Sequence, residues 1–129
     1  MEKVTHENIV ARSVTVVDEN GNAKLLLQAS LGRCGIQMMG KDGEPKLELQ
    51  VAENGETTIL ISDSQDQPSI TIGVSETGKG LSVLADNVNV ASLGCDLSGL
   101  GPLSSSQGYL LIRNTENDEQ TFFPELGGT

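Results

Sequence analysis

The segment of this chain that comes closest to a chemical motif runs from Gly73 to Gly80. It reads G-V-S-E-T-G-K-G, one residue away from the phosphate-binding loop G-x-x-x-x-G-K-[ST]. That loop needs a final hydroxyl for Mg²⁺ and a following helix whose N-terminus meets the phosphates. Gly80 replaces the hydroxyl here, and residues 81–83 alternate as a strand does. We therefore predict a turn at this segment and no nucleotide site.

A second candidate is the acidic turn at residues 18–22. Three of its residues stand at positions 1, 3 and 5 of a calcium-binding loop: Asp18, Asn20 and Asn22. Such a loop also needs glycine at position 6 and glutamate at position 12, where this chain has Ala23 and Ala29. We predict a hairpin turn without a metal ion, and we give the same interpretation to the matching turn that contains Asp63 and Asp66.

Nucleophilic or zinc chemistry would have to use His6, Cys34 or Cys95, because these are the only histidine and cysteines. His6 lies in a polar N-terminal arm, which is a poor place to hold a base against a nucleophile. The two cysteines are too far apart for a C-x-x-C motif. We expect two unpaired thiols, and the sequence leaves a 34–95 disulfide open.

Paired carboxylates for glycoside hydrolysis are always available in an acidic chain. No spacing singles out a pair among the candidates, which are Asp86, Asp96, Asp118 and Glu119. Aromatic platforms for a sugar are scarce, since the chain has one tyrosine, two phenylalanines and no tryptophan. We therefore predict no catalytic residue, no cofactor, no metal site and no enzymatic activity.

Charge narrows the possible partners. The chain has 18 acidic and 8 basic residues among 129, a net charge of −10. Nucleic acids and anionic membranes attract the opposite charge, so we predict no nucleic-acid partner, and binding to an anionic membrane surface is disfavoured. No apolar run reaches the roughly 20 residues that a membrane helix needs, so we predict no membrane insertion. The N-terminus lacks a signal peptide, so we expect synthesis in the cytoplasm. A final location on a virion, phage or particle surface stays open.

An internal repeat determines the strands and turns that would position any functional site. Its copies are residues 13–34, 35–57, 58–79 and a partial copy at 80–93. The aligned apolar positions are Val14/Ile36/Ile59, Val16/Met38/Ile61, Leu25/Leu47/Ile70, Leu27/Leu49/Ile72 and Ala29/Val51/Val74. The offsets are 22 and 23 residues. A repeat of this length is one supersecondary unit used several times.

Each copy reads as two short strands joined by a turn, as in the alternating stretch 47–51. Turn signals that favour type I′ hairpins stand at Asn20-Gly21, Asp42-Gly43 and Asn54-Gly55. We divide the chain into an N-terminal arm (1–8), a β-repeat region (9–93), a Gly/Ser-rich loop (94–107) and a C-terminal hairpin with a tail (108–129). No segment has helical periodicity, so the predicted fold class is all-β.

One repeat has too few apolar side chains to fold alone, so its apolar face needs a second layer. Sheets from three chains that face one axis form a prism with a narrow interior. That interior suits Val, Ile, Leu and Met. We therefore favour an intertwined or prism-like homotrimer of tandem antiparallel hairpins. A single-chain β-barrel or sandwich is the alternative, and a one-chain β-solenoid comes third.

The repeat resembles a pattern found in uncharacterised bacterial and phage proteins, in which Asp-x-x-Gly turns punctuate alternating strands. The match is V-T-V-V-D-E-N-G at 14–21 followed by A-K-L-L-L at 23–27, with weaker copies at 36–51 and 59–74. It looks like the shaft modules of trimeric fibre and spike proteins. The resemblance covers at most residues 9–85 and implies a structural or attachment role.

Two functions follow as hypotheses. The first is a non-enzymatic structural or attachment module, a β-repeat shaft whose partner is another copy of the chain. The second is a small-ligand or glycan-binding domain with its site in the C-terminal segment, whose partner is a glycan or a surface receptor. A candidate recognition patch consists of Tyr109, Arg113, Phe122 and Phe123. The other interpretation of these residues is that they pack as a small core of the cap.

Overall fold

The computed structural model describes residues 3–30, 32–76, 78–96 and 108–123, and these form ten strands without a helix. The strands are β1 (Ser13–Val17), β2 (Ala23–Ser30), β3 (Arg33–Met39), β4 (Pro45–Ala52), β5 (Thr57–Ser62), β6 (Pro68–Val74), β7 (Gly78–Ala85), β8 (Val88–Asp96), β9 (Gly108–Asn114) and β10 (Glu119–Phe123). Each strand pairs antiparallel with the next one in the chain, in the order β1 to β10. The all-β fold of tandem antiparallel hairpins is confirmed.

The sheet is a single open layer. Strands β1 and β10 are its two edges, and each strand contacts only its neighbours in the chain. Within the described ranges no apolar side chain is buried. The single-chain barrel and the sandwich are therefore wrong, because the sheet neither closes nor folds over itself.

Alternation along the strands sorts the side chains onto two faces, because successive residues of a strand point to opposite sides. One row of paired residues on one face is apolar in all ten strands: Val14, Leu27, Ile36, Leu49, Ile59, Ile72, Leu81, Leu93, Leu110 and Phe123. The neighbouring row holds Val16, Leu25, Met38, Leu47, Ile61, Ile70, Val83, Ala91, Ile112 and Thr121. We call the side that carries these two rows the apolar face, and the opposite side the polar face.

The repeat is visible in the geometry of the hairpins. Pairing shifts by one residue after Val16, Met38, Ile61 and Val83, at intervals of 22, 23 and 22 residues. Each shift is a bulge beside the turn of the hairpins β1–β2, β3–β4, β5–β6 and β7–β8. Hairpin β7–β8 stands in the place of the partial copy 80–93, with strands of eight and nine residues.

The C-terminal segments are placed as follows. Strand β8 runs to Asp96 and so includes the first residues of the segment 94–107 that was predicted as a loop. The rest of that loop lies outside the described residues. Strands β9 and β10 form the C-terminal hairpin, and the tail after Phe123 also lies outside the described residues.

The turns correct one expectation. At the three Asn-Gly and Asp-Gly signals only the glycine has a positive φ, at 81° (Gly21), 83° (Gly43) and 85° (Gly55). A type I′ turn needs positive φ at both central residues, so these hairpins instead have three-residue loops that end on a left-handed residue. The two-residue turn Asp86-Asn87 has positive φ at both positions, 48° and 63°.

Candidate functional site

The apolar face leaves large side chains exposed across the whole sheet. In its two rows the exposed fraction is 39% for Val14 at one edge, 59% for Leu93 and 50% for Phe123 at the other edge. Monomeric soluble proteins rarely expose apolar patches larger than a few hundred Å². A continuous apolar surface across ten strands is therefore the first candidate site of this chain.

The N-terminal end of the apolar face contains a cleft of about 500 Å³. Its walls include Ile9 from the segment before β1, and Leu27, Ile36 and Leu49 from the sheet. This segment is held beside β2 by a 2.9 Å hydrogen bond from Ala29 N–H to the Arg12 carbonyl oxygen. The cleft extends the apolar face rather than forming a separate pocket.

The polar face differs between its two ends. On β3 and β4 it carries long side chains that bond to one another. Gln37 Nε2 donates to Glu48 Oε1 at 2.7 Å, and Arg33 Nη1 donates to Gln50 Oε1 at 3.4 Å. These bonds fill the surface with a network of amides and charges.

On β5 to β10 the polar face instead forms a groove of about 570 Å³. Paired glycines form its floor: Gly73 faces Gly80, and Gly80 faces Gly94. A Cβ atom on Gly80 would lie 2.8 Å from the Leu93 carbonyl oxygen, and one on Gly94 would overlap the Lys79 carbonyl oxygen. The strands therefore approach so closely that only glycine fits at these two positions.

A polar cluster lines the groove at hairpin β7–β8. Ser92 is buried at 3% exposure and is the one buried residue in the described ranges. Its Oγ lies 3.2 Å from Ser82 Oγ and accepts a 2.6 Å hydrogen bond from Asn89 Nδ2. The Asn89 Oδ1 atom is buried and accepts no hydrogen bond from the described part of the chain.

The bulge after Val83 explains why Asn89 joins this cluster. Val83 pairs with Ala91 and Leu84 pairs with Asn89, so the extra residue in β8 turns Asn89 to the side of Ser82 and Ser92. Bulges commonly re-aim a side chain in this way. The equivalent bulge positions in the other hairpins hold Ala23, Pro45 and Pro68, which have no side-chain polar atoms.

The predicted recognition patch divides between the two faces. Tyr109 and Phe122 lie on the polar face at the end of the groove and stack with ring centroids 5.5 Å apart and planes 11° apart. Arg113 is on the same face, with Nε 3.9 Å from Asp118 Oδ1 and opposite Gln120. Phe123 lies on the apolar face opposite Leu110 and is half exposed.

Sequence reasoning missed Ser82, Asn89 and Ser92, which form the centre of the groove. The available signal was the departure of hairpin β7–β8 from the other copies. Where Ser92 stands in β8, the earlier copies have Leu26, Glu48 and Thr71 in the same row of paired residues. The position of Asn89 depends on the bulge, and no motif marks it.

In the acidic turn at 18–22, the Asp18 carboxylate binds the backbone of the turn itself. Asp18 Oδ1 accepts hydrogen bonds from the backbone N–H groups of Asn22 and Asn20, at 3.0 and 2.9 Å. The bond from Asn22 is the main cause of a lowered pKa at Asp18, desolvation opposes it, and the bond from Asn20 adds to the lowering. Asp63 accepts the same pair of bonds in the third copy, from Gln65 N–H at 2.8 Å and Gln67 N–H at 3.1 Å.

One lysine ties the second copy to the third. Lys46 Nζ pairs with Asp66 Oδ1, donates to the Asp63 carbonyl oxygen at 3.0 Å and lies 3.6 Å from Asp42 Oδ2. The hydrogen bond to Asp66 is the main cause of a raised pKa at Lys46. Asp42 has a lowered pKa, mainly because it accepts a hydrogen bond from Glu44 N–H.

The remaining sequence candidates are spread over the sheet. Gly73 is the last but one residue of β6 and Gly80 lies inside β7, so a strand rather than a helix follows the segment that resembled a phosphate loop. His6 is exposed in the arm, and both cysteines are free, Cys34 exposed and Cys95 half-buried. The described residues contain no group of three side chains that could hold a metal ion.

No family model matches this chain, and the comparisons with curated proteins and with solved structures also give no match. None of the described residues forms a helix that is long and apolar enough to cross a membrane.

Proposed function

We propose that this chain is a non-enzymatic structural or attachment module that assembles with copies of itself through its apolar face, as the shaft of a fibre-like or spike-like homotrimer. The observation that carries this proposal is the apolar row that runs unbroken from Val14 to Phe123 across ten strands. A sheet of one layer has no core of its own, so its stability requires a second layer.

The size of the apolar face supports self-assembly. Ten strands about 4.8 Å apart span roughly 43 Å, and a strand of six residues is about 20 Å long. The face therefore measures roughly 900 Å², close to the ~800 Å² that each partner contributes to a stable interface. A second copy of the chain offers a surface of the same size and the same apolar chemistry.

The composition of the apolar face favours three copies around one axis. Phe123 is the only aromatic residue in its two rows, and the other members are aliphatic apart from Met38 and Thr121. Three sheets that face an axis enclose a narrow space, which branched aliphatic side chains fill without bulky rings. The polar faces then point outward, where the net charge of −10 favours solubility.

Light scattering after size exclusion tests the proposal. We expect a mass about three times the 13.6 kDa of the chain. A mass of 13.6 kDa at micromolar concentration would contradict self-assembly. A mass twice that of the chain would replace the trimer by two sheets packed face to face.

A charge on the apolar face tests the surface itself. Leu49→Asp puts a carboxylate in the middle of the row, and Gln28→Asp puts the same group on the polar face as a matched control. We expect the first variant to elute as a monomer or to unfold, and the second to keep its mass and circular dichroism spectrum. Assembly that survives Leu49→Asp would rule out the apolar face as the interface.

A further inference from the structure

We propose that the polar groove across β5 to β10 binds a neutral carbohydrate. The groove lies on the side of the sheet opposite the apolar face, so it stays open when the apolar face is covered. Its volume of about 570 Å³ falls within the range of about 300–1,000 Å³ that is typical of small-molecule sites. The proposal does not depend on the number of copies in the assembly.

The shape of the groove comes from the absence of side chains on its floor. Gly73, Gly80 and Gly94 stand side by side on three neighbouring strands, β6, β7 and β8. Without Cβ atoms they leave a flat strip of backbone between the hydroxyl groups on one side and the aromatic pair at the end. A ring-shaped ligand can therefore lie flat against the sheet, within reach of both.

The polar groups that line the groove are mostly neutral and can both donate and accept hydrogen bonds. They include the hydroxyl groups of Thr58, Thr71, Ser82 and Ser92 and the amide of Asn89, and the charged residues of the lining are one of each sign, Glu56 and Lys79. A sugar carries several hydroxyl groups, each a donor and an acceptor, and so it matches this set. Phosphate or nucleotide ligands favour several cations, whereas the lining has one lysine, Lys79, offset by Glu56, and a metal ion would need a cluster of carboxylates.

The side-chain oxygen of Asn89 is an acceptor without a hydrogen-bond donor among the described residues. Its Nδ2 is committed to Ser92 Oγ, while its buried Oδ1 accepts no hydrogen bond from the described residues. A buried acceptor without a partner costs about 1–3 kcal/mol. A ligand hydroxyl that reaches the amide would supply the missing donor, after a small movement that opens the oxygen to the groove.

The aromatic pair supplies the apolar part of the recognition. Tyr109 and Phe122 stack at the end of the groove and are both half-buried, so part of each ring still faces outward. Sugars have one face rich in C–H groups, and flat aromatic rings bind this face by burial and dispersion. Both residues come from hairpin β9–β10, which follows the last bulged hairpin.

Binding is tested with defined sugars. The probes are glucose, galactose, mannose, N-acetylglucosamine and the methyl glycosides of each, titrated to tens of millimolar into the isotopically labelled protein. We expect at least one probe to give saturable NMR shifts at the amides of β7, β8 and β9. No saturable shift with any of these probes would overturn the proposal.

A blocking variant tests the location. A Cβ atom on Gly73 would come no closer than 3.8 Å to the Thr57 carbonyl oxygen, so Gly73→Val fits the strand and fills the floor of the groove. Gly32→Val is the matched control, because nothing lies within 4 Å of a Cβ atom at that position and it is outside the groove. We expect Gly73→Val to abolish sugar binding and Gly32→Val to leave the affinity within twofold.

A third variant tests the amide. Asn89→Ala should weaken binding about fivefold, the loss expected for one hydrogen bond to a neutral group. Sugar binding that is unchanged in both Gly73→Val and Asn89→Ala would show that the site lies elsewhere and would overturn the assignment. The masses of these variants are measured in parallel. These masses distinguish a loss of sugar binding in the groove from a loss of self-assembly, because both substitutions leave the apolar face intact.

Discussion

The N-terminal and C-terminal halves of the sheet have the same apolar face and different polar faces. On β3 and β4 the polar face is filled by long side chains that bond to one another, such as Gln37 with Glu48. On β7 and β8 the same rows hold serines and glycines, and a groove opens. One hairpin scaffold thus supports two kinds of surface, and the length of the side chains in the polar rows decides which one forms.

The apolar and polar rows of the repeat are under different structural constraints. The apolar rows keep their chemistry from Val14 to Phe123, because every strand contributes to one continuous surface. The polar rows contact no other element in the described structure and so can change from copy to copy. Variation between copies is therefore concentrated on the face that is free to acquire a binding site.

The largest expected effect comes from charging the apolar face in either half. Leu27→Asp and Leu93→Asp place a carboxylate in the same row near its two ends. An uncompensated buried charge costs about 3–5 kcal/mol, so both variants should lose the assembled species in size exclusion. If only one of them dissociates, the two halves do not share one interface. Gln28→Asp remains the control.

A smaller effect is expected at the polar cluster of the C-terminal half. Ser92→Ala removes the acceptor for Asn89 Nδ2 and the contact with Ser82 Oγ. We expect the free energy of unfolding to fall by about 1–2 kcal/mol in chemical denaturation, because two half-buried polar groups lose a partner. Ser13→Ala, at an exposed position on edge strand β1, should change it by less than about 0.5 kcal/mol. Equal effects would contradict the structural role of the cluster.

Substitutions at two turns should change the free energy of unfolding in opposite directions. Gly55 has φ at 85°, so Gly55→Ala is expected to lower the free energy of unfolding by about 1 kcal/mol. Asp118 has φ at 55° with an 85% exposed side chain, so Asp118→Gly is expected to raise it by roughly 0.5 kcal/mol. Thermal denaturation measures both. A destabilised Asp118→Gly would mean that the contact of Asp118 with Arg113 outweighs the backbone strain.

The smallest effect concerns pH at the first turn. The pKa of Asp18 is lowered from 3.8 in the folded chain by hydrogen bonds from Asn22 and Asn20, so folding favours its charged form. Its contribution is present above about pH 4 and is lost as pH falls through the lowered pKa. Asp18→Asn keeps an acceptor without the charge. We expect the stability difference from the unmodified chain to shrink in titrations below pH 4, and a difference independent of pH would contradict this.

Much of the fold could be predicted from local patterns. The alternation at 47–51, the aligned positions such as Leu27 and Leu49, and the glycines at the turns fix strands, faces and hairpins, because each acts within a few residues. The predicted type I′ turn was wrong, since an Asn-Gly pair fits a two-residue turn or a three-residue loop equally well. The choice depends on how the flanking strands pair.

The candidate groove could be predicted only in part. Tyr109, Arg113 and Phe122 belong to the predicted recognition patch in the C-terminal segment, and all three lie on the polar face. Phe123 lies on the other face, because the register of β10 with β9 places it opposite Leu110. The serines and Asn89 are ordinary residues whose role depends on where the strands put them.

The sequence by itself determined an all-β chain of repeated hairpins with one apolar face, because period-two alternation and turn residues act locally. The tertiary structure decided that the sheet is open, that a bulge after Val83 turns Asn89 toward Ser92, and that a glycine strip joins β5 to the aromatic pair of β9 and β10. These features depend on the register in which neighbouring strands pair, which the alternation along one strand does not fix, since a shift of one residue in register moves every following side chain to the other face.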